Sequence, residues 1–219
     1  SALAERAENG NKAMVGSTIL EPGSADLIRF RGGLHWQTFA ARATAIGLRA
    51  RVGDPFDLHA IEENLDAPSG ASTYVTRQCV EQIGLMDDSY FLFFEDLDWG
   101  RRAKKLGLGY ASNSIVAHRR GTTTGSANSL RRVSRLAVYL EHRNAIHFVR
   151  KFVPWTMPIR ILVSFLYALR FLICGAPHNC IAVLEGVIAG LRGEIRQPRW
   201  HRETPLKDEK VSSASVARG

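Results

Sequence analysis

Hydrophobic and polar positions along the chain switch repeatedly between a helical period and a strand period. Residues 2–9 carry their apolar positions on one helical face, and residues 13–20 (AMVGSTIL) are a β-rich apolar run closed by the turn signal Glu21-Pro22-Gly23. A helix followed at once by a strand is the rhythm of an α/β sheet. Between residues 28 and 66 the pattern is mixed, broken by Gly32-Gly33 and Gly53-Asp54-Pro55, and reads as short strands and loops in a lid or connecting region. The turn Ser69-Gly70-Ala71-Ser72 leads into a strand at Thr73-Tyr74-Val75 and a helix over residues 77–83 that Gly84 ends. Residues 90–94 (YFLFF) predict a buried aromatic strand. Residues 95–106 predict a helix, with acids in the first turn, Lys104 and Lys105 in the last, and Gly107 just beyond. A short strand at 114–117 and a polar linker precede a long helix over about 130–152, with Ser129 its expected N-cap and Pro154 its stop.

The most apolar stretch comes late, over residues 159–174, and a second apolar helix is expected over 181–191. Arg160 and Arg170 interrupt the first, which falls short of the roughly 20 residues a spanning helix needs. It reads instead as a helix lying in a membrane interface, with Trp155 and Tyr167 at the boundary and Arg150, Lys151, Arg160 and Arg170 reaching lipid phosphates. The competing reading packs both helices on the rest of the protein. From Pro198 onward the sequence is polar and low in order-forming residues, as in a loose tail. The expected organisation is therefore residues 1–152 as one α/β unit, 153–197 as amphipathic helices and 198–219 as the tail.

Charge sharpens this division. Residues 1–100 hold 8 Lys/Arg against 15 Asp/Glu, whereas residues 101–202 hold 18 against 3. So uneven a distribution suggests that the two halves face different partners, with phosphates or an anionic membrane surface for the basic one. Nucleic acid is set aside, because no RNA or DNA module is present and the arginines are interleaved with apolar positions. Three cysteines with no CxxC pair suggest neither a disulfide framework nor a thiolate metal site, and point to a reducing compartment.

The candidate chemistry lies in Glu95-Asp96-Leu97-Asp98, where the aromatic run meets a helix start. Ligands of open α/β sheets gather at strand ends, and three carboxylates in four residues repel one another more than helix capping requires. Taken together, GASTYVTRQCVEQIG, then DDSYFLFFEDLDWGRRAKKLG, IVAHRRG and YLEHRN resemble, in order and spacing, the second half of the catalytic domain of family 2 glycosyltransferases, especially bacterial rhamnosyltransferase-like members. The resemblance covers about residues 1–152. It implies an incomplete GT-A-type (Rossmann-like) α/β domain with C-terminal helices. It further implies an inverting enzyme that moves a sugar from a nucleotide-sugar donor to a lipid-linked or polysaccharide acceptor with Mg²⁺ or Mn²⁺.

On the matching positions the resemblance makes Asp96 the base, with Glu95 orienting it or the acceptor. Gly70, Ala71 and Ser72 fall on the acceptor floor. Trp99 is the further acceptor candidate, although packing is weighed above stacking on a sugar. His118 is a candidate metal or diphosphate ligand, and Arg119 and Arg120 are candidate phosphate contacts. Asp98 and Arg102, four apart on the predicted helix, read as an internal ion pair, and Arg143-Asn144 as a structural polar contact. The family's donor-binding first half, with the DxD metal motif ahead of the part matching residues 1–20, is not in the sequence, and the chain starts at Ser1 in apparent mid-fold. The expectation is a fragment of a longer enzyme or a truncated gene product, inactive by itself and peripheral on the cytoplasmic face of the cell membrane. The alternative is a non-catalytic membrane-surface or anion-binding remnant.

Overall fold

The computed structural model describes residues 1–118 and 130–198, a mixed α/β arrangement followed by packed helices. Helix α1 (Ala2–Gly10) is capped by the Ser1 hydroxyl and ends at Asn11, whose left-handed backbone lets the chain turn into β1 (Met14–Leu20). Every residue of β1 is buried, and this strand organises the first sheet. Strand β2 (Ile28–Arg31) pairs antiparallel with its second half, and β6 (Thr73–Val75) antiparallel with its first half. Strand β7 (Leu108–Ala117) pairs in parallel along its whole length, with a bulge where the register jumps between Ala111 and Ile115. The predicted strand at 114–117 is the far end of β7.

A second sheet has the order β4-β3-β5, from β3 (Gly33–Gln37), β4 (Arg42–Ala45) and β5 (Ala67–Pro68). The region read from the sequence as short strands and loops thus contributes β2, β3 and β4, together with a helix over Leu58–Asn64 that the sequence reading did not include. Close backbone approach explains its glycines: a Cβ on Gly16 would lie 1.9 Å from the Gly32 carbonyl oxygen, and one on Gly33 would lie 2.0 Å from that of Ala67.

Helices α2 (Leu58–Asn64) and α3 (Arg77–Ile83) are capped by Asp57 and Thr76, and Gly84 at φ 74° ends α3. Helix α4 (Glu95–Ala103) runs into a 3₁₀ turn, Lys104–Leu106, before Gly107. The aromatic strand expected at 90–94 does not form. Tyr90 closes a 3₁₀ turn, Asp88–Tyr90, and Phe91, Phe93 and Phe94 take positive φ of 65°, 66° and 71°. The cause lies in helix α5 (Arg135–Phe152). The Asn144 amide nitrogen donates to the carbonyls of Tyr90 (3.0 Å), Leu92 (2.7 Å) and Phe93 (2.9 Å), and Arg143 Nη2 donates to Tyr90 (2.8 Å). Carbonyls that a strand would offer to a neighbour are taken by these side chains, while Tyr90 and Phe94 fill a core with Leu97, Trp36 and Phe148. Arg143-Asn144 is the structural polar contact that the sequence suggested.

The N-cap of α5 is Ser134, which accepts from the Ala137 amide at 3.1 Å; the expected cap, Ser129, lies outside the described residues. Helix α7 (Pro177–Leu191) packs tightly on α5. A Cβ on Gly186 would meet the Tyr139 carbonyl at 2.5 Å, and one on Gly190 would meet Ile146 Cβ at 2.7 Å. Small residues at four-residue spacing let the two backbones approach closely.

Helix α6 (Met157–Ile173) continues a 3₁₀ turn from Pro154. Together they make a 20-residue helix, Pro154–Ile173, of mean hydropathy 1.6, which corrects the expectation that the stretch is too short to cross a membrane. Two further expectations change. Arg160 is buried and donates to the Ala41 carbonyl and to Ser164 and His142, so it does not reach lipid; Lys151 pairs with Asp87 at 3.0 Å and Asp98 at 2.6 Å. Arg170 is exposed.

The acidic and basic halves also meet each other. Asp66, fully enclosed, binds Arg101 and Lys104, each at 2.8 Å, and Asp98 binds Arg102 at 2.7 Å. Arg101, Arg102, Lys104 and Lys151 of the basic half thus neutralise acids of the first hundred residues.

Candidate active site

Helix α4 begins without a side-chain cap: its N-cap is Phe94, in the left-handed conformation, and acids fill the first turn. Positive amide dipoles at that end favour nearby carboxylates. The strained bend of Phe93 and Phe94 turns the chain so that Glu95 and Asp96 follow directly from a wall of aromatic core. Asp96 Oδ1 accepts from the Leu97 amide at 2.8 Å, and Oδ2 accepts from the Gly70 amide at 3.2 Å. The Gly70 turn and the acidic pair, 26 residues apart in sequence, thus adjoin. Gly70 and Ala71 are exposed. The Ser72 hydroxyl is tied inward, 2.8 Å from that of buried Ser17, which lies 2.9 Å from the Ser114 hydroxyl.

Trp99 faces elsewhere. Its indole nitrogen donates to the Gly84 carbonyl at 2.9 Å, and its ring packs with Met14, Leu65, Cys79 and Ala103, which moves it from the acceptor set to the core. His118 is exposed just beyond β7, and no cluster of three or more His, Cys, Asp or Glu groups able to hold a metal exists among the described residues. Arg119 and Arg120 lie outside the described residues. Asp98 is wholly buried and bound to Arg102, Lys151 and the Tyr90 hydroxyl, so the run Asp96-Leu97-Asp98 does not present two free carboxylates to an ion.

One site residue was missed in the sequence. Glu141 on α5 is close enough to Asp96 and Glu95 for its charge to disfavour theirs. Burial, then Asp96 and Glu141, push Glu95 up to about 7, and its Oε2 is buried without a partner. Burial raises Asp96 as well, against the amides of Gly70 and Leu97, which favour its charged form. Glu141 is raised by burial and by Asp96, against the opposing charge of Arg160. Glu141 nevertheless keeps solvent-accessible surface. It lines a cleft, and the protein around it disfavours its charge although part of the side chain meets solvent. The available signal was that Glu141 is the one acidic residue between residues 101 and 184.

The cleft has a volume of about 610 Å³ and is lined by residues including Arg42, Phe93, Phe94, Glu141, His142 and Arg160. It draws on β4, the aromatic bend, α5 and α6. Of the three carboxylates of raised pKa, Glu141 lines this cleft, and Glu95 and Asp96 directly follow its wall residue Phe94 in the chain. The chain matches no protein family, no curated protein and no solved structure.

Proposed function

We propose that this chain carries the acceptor side of an inverting glycosyltransferase, with Asp96 as the base. The observation that carries the reading is the bond from the Gly70 amide to Asp96 Oδ2, which sets the Gly-Ala-Ser turn beside the Glu-Asp pair. Inverting transfer needs a carboxylate that takes the acceptor hydroxyl's proton as that oxygen attacks the anomeric carbon from the face opposite the leaving nucleotide. A carboxylate raised by burial is a stronger base than an exposed one, and the two amides fix its orientation. Glu95, pushed up to about 7, is only partly ionised near neutrality, which weakens the negative charge beside Asp96.

In this reading the sheet around β1 is the second part of a GT-A-type domain. The described residues do not by themselves form a site for Mg²⁺ or Mn²⁺. The ion's ligands and the nucleotide-sugar pocket belong to the family's first half. In an enzyme joining that half to this chain, Asp96→Asn is expected to lower turnover by about 10²-fold or more with the fold intact. Release of nucleoside diphosphate from a panel of nucleotide-sugars measures it, and turnover near the unmutated level ends the reading.

The acceptor in this reading is lipid-linked, and the chain sits peripherally on the cytoplasmic membrane face. Support comes from the outer face of α6, where Leu162, Phe165, Leu166, Leu169, Leu172 and Ile173 are exposed. Arg170 lies among them for anionic head groups. Sedimentation with anionic vesicles should fall by about ten-fold or more in Phe165→Glu/Leu169→Glu. Unchanged sedimentation of that variant removes the membrane assignment.

A further inference from the structure

Nothing in the proposed reaction yet uses the cleft between β4, the Phe93–Phe94 bend, α5 and α6, although the residue before Glu95 forms part of its wall. Two neighbouring side chains of α5 line it with opposite hydrogen-bonding character. Glu141 offers acceptor oxygens with solvent-accessible surface. His142 is 4% exposed, and its Nδ1 lies 3.2 Å from Arg160 Nη2 and 3.0 Å from the Ser164 hydroxyl. Arginine only donates, so Nδ1 is the accepting nitrogen and the ring proton resides on Nε2. Burial and the charge of Arg160 push His142 down to about 3, which keeps the ring neutral. Its Nε2 has no hydrogen-bond partner among the described residues. An otherwise buried ring thus leaves one N–H for a ligand beside a carboxylate.

The walls narrow the ligand's chemistry. Phe93, Phe94, Val138 and Phe171 supply apolar surface. An anion would meet Glu141, with the charges of Glu95 and Asp96 close behind it. An alkyl chain would strip water from Glu141 and leave the His142 N–H unpaired, a cost for each such group. A neutral polyol with one apolar face avoids both penalties.

Building on the glycosyl-transfer reading, we infer that this cleft seats a neutral pyranose of the acceptor, hydrogen-bonded by Glu141 and His142 Nε2 and packed on the Phe93–Phe94 bend. The sugar end of the acceptor lies in the cleft, and its phosphate lies outside. Glu141 is then a binding residue that brings the acceptor hydroxyl towards Asp96.

Saturation-transfer NMR on the whole chain tests this without turnover. The probes are methyl pyranosides of the gluco, galacto, manno and rhamno series, with glucose 1-phosphate and 1-octanol as contrasts. At least one methyl pyranoside should bind in the millimolar range, and Glu141→Ala should weaken it by about ten-fold, the loss of one charge-assisted hydrogen bond. Thr44→Trp, which fills the cleft from β4, should do the same, with melting curves verifying the fold of both variants. Glu141→Gln serves if the alanine variant fails to fold. The assignment is overturned if no pyranoside binds, if glucose 1-phosphate or octanol binds in preference, or if both variants bind the sugar as the unmutated chain does. Pyranoside binding that survives in a chain whose Asp96→Asn variant keeps full transfer would remove Asp96 from the chemistry but leave the cleft a sugar site. Asp96-dependent transfer without pyranoside binding would remove only the cleft.

Discussion

Asp96 and Asp98 stand two residues apart on the first turn of α4, yet the protein treats them in opposite ways. Asp98 is fully enclosed, and its oxygens meet Arg102 at 2.7 Å, Lys151 at 2.6 Å and the Tyr90 hydroxyl at 3.1 Å. Asp96 receives two backbone amides and no cation among the described residues, and the negative charges of Glu95 and Glu141 act against its own. Asp66 and Glu62 resemble Asp98: Asp66 binds Arg101 and Lys104, and Glu62 binds Arg6 and Lys12. Burial raises the pKa of any carboxylate, and at Asp66 and Glu62 the cations outweigh it. Around the cleft they do not. Carboxylates that hold the fold are thus separable from those kept at a disadvantage within it, and the second kind is the mark of a site that binds or transfers protons.

The largest effect expected from this contrast is on stability. Asp98→Ala takes the carboxylate from Arg102, leaves Lys151 with Asp87 alone and leaves the Tyr90 hydroxyl unmatched, so a loss of about 3–5 kcal/mol is expected in urea unfolding. Asp96→Ala removes a carboxylate with no cation and should change stability by about 1 kcal/mol or less. Equal losses in the two variants would erase the distinction.

That distinction was only partly legible in the sequence. The Asp98–Arg102 pair follows from i, i+4 spacing, and the Glu95-Asp96 pair stands out as adjacent acids at a helix start. Lys151 and Glu141 reach the same region from α5, some 50 residues away, and no local pattern announces such a contact. Most strand and helix positions followed from period and caps, but helix α2, capped by Asp57, was missed within a stretch of mixed pattern. The expectation failed at 90–94 because burial there is aromatic as in a strand, but the backbone partners are side chains of Asn144 and Arg143. Helix α6 read as too short because Pro154, taken as a stop for α5, also opens the next helical segment.

A smaller effect follows from Glu95. Its folded pKa of about 7 lies above the ordinary value of 4.5, so the folded chain holds a proton that the unfolded chain releases. The sign is that of a raised acid: stability falls as pH rises from about 4.5 to about 7, and the penalty is fully present above 7. Asp87, lowered to about 2 by Ser89 and Lys151 against the effect of burial, loses its contribution only in the separate window below its ordinary 3.8. Glu95→Gln should therefore match the unmutated chain near pH 4.5 and exceed it by about 1–3 kcal/mol at pH 8. Thermal melts at the two pH values measure the gap. A constant difference across that range would mean that Glu95 is charged at neutrality and belongs with the paired acids.

The smallest effect concerns Gly70, whose amide is one of the two that hold Asp96. A Cβ there would lie 3.4 Å from Asp96 Oδ2, an ordinary contact, and the Gly70 backbone is not left-handed. Gly70→Ala keeps the donating amide and restricts the unfolded chain, so stability should rise by up to about 1 kcal/mol. The added methyl group also takes water from one side of Asp96, which pushes its pKa further in the direction burial already drives it. In a transferring enzyme, the acidic limb of the pH–rate profile should then move to higher pH in Gly70→Ala while the rate on the plateau stays within a few-fold. A limb that stays put in Gly70→Ala would place Asp96 with Asp98 among the structural carboxylates.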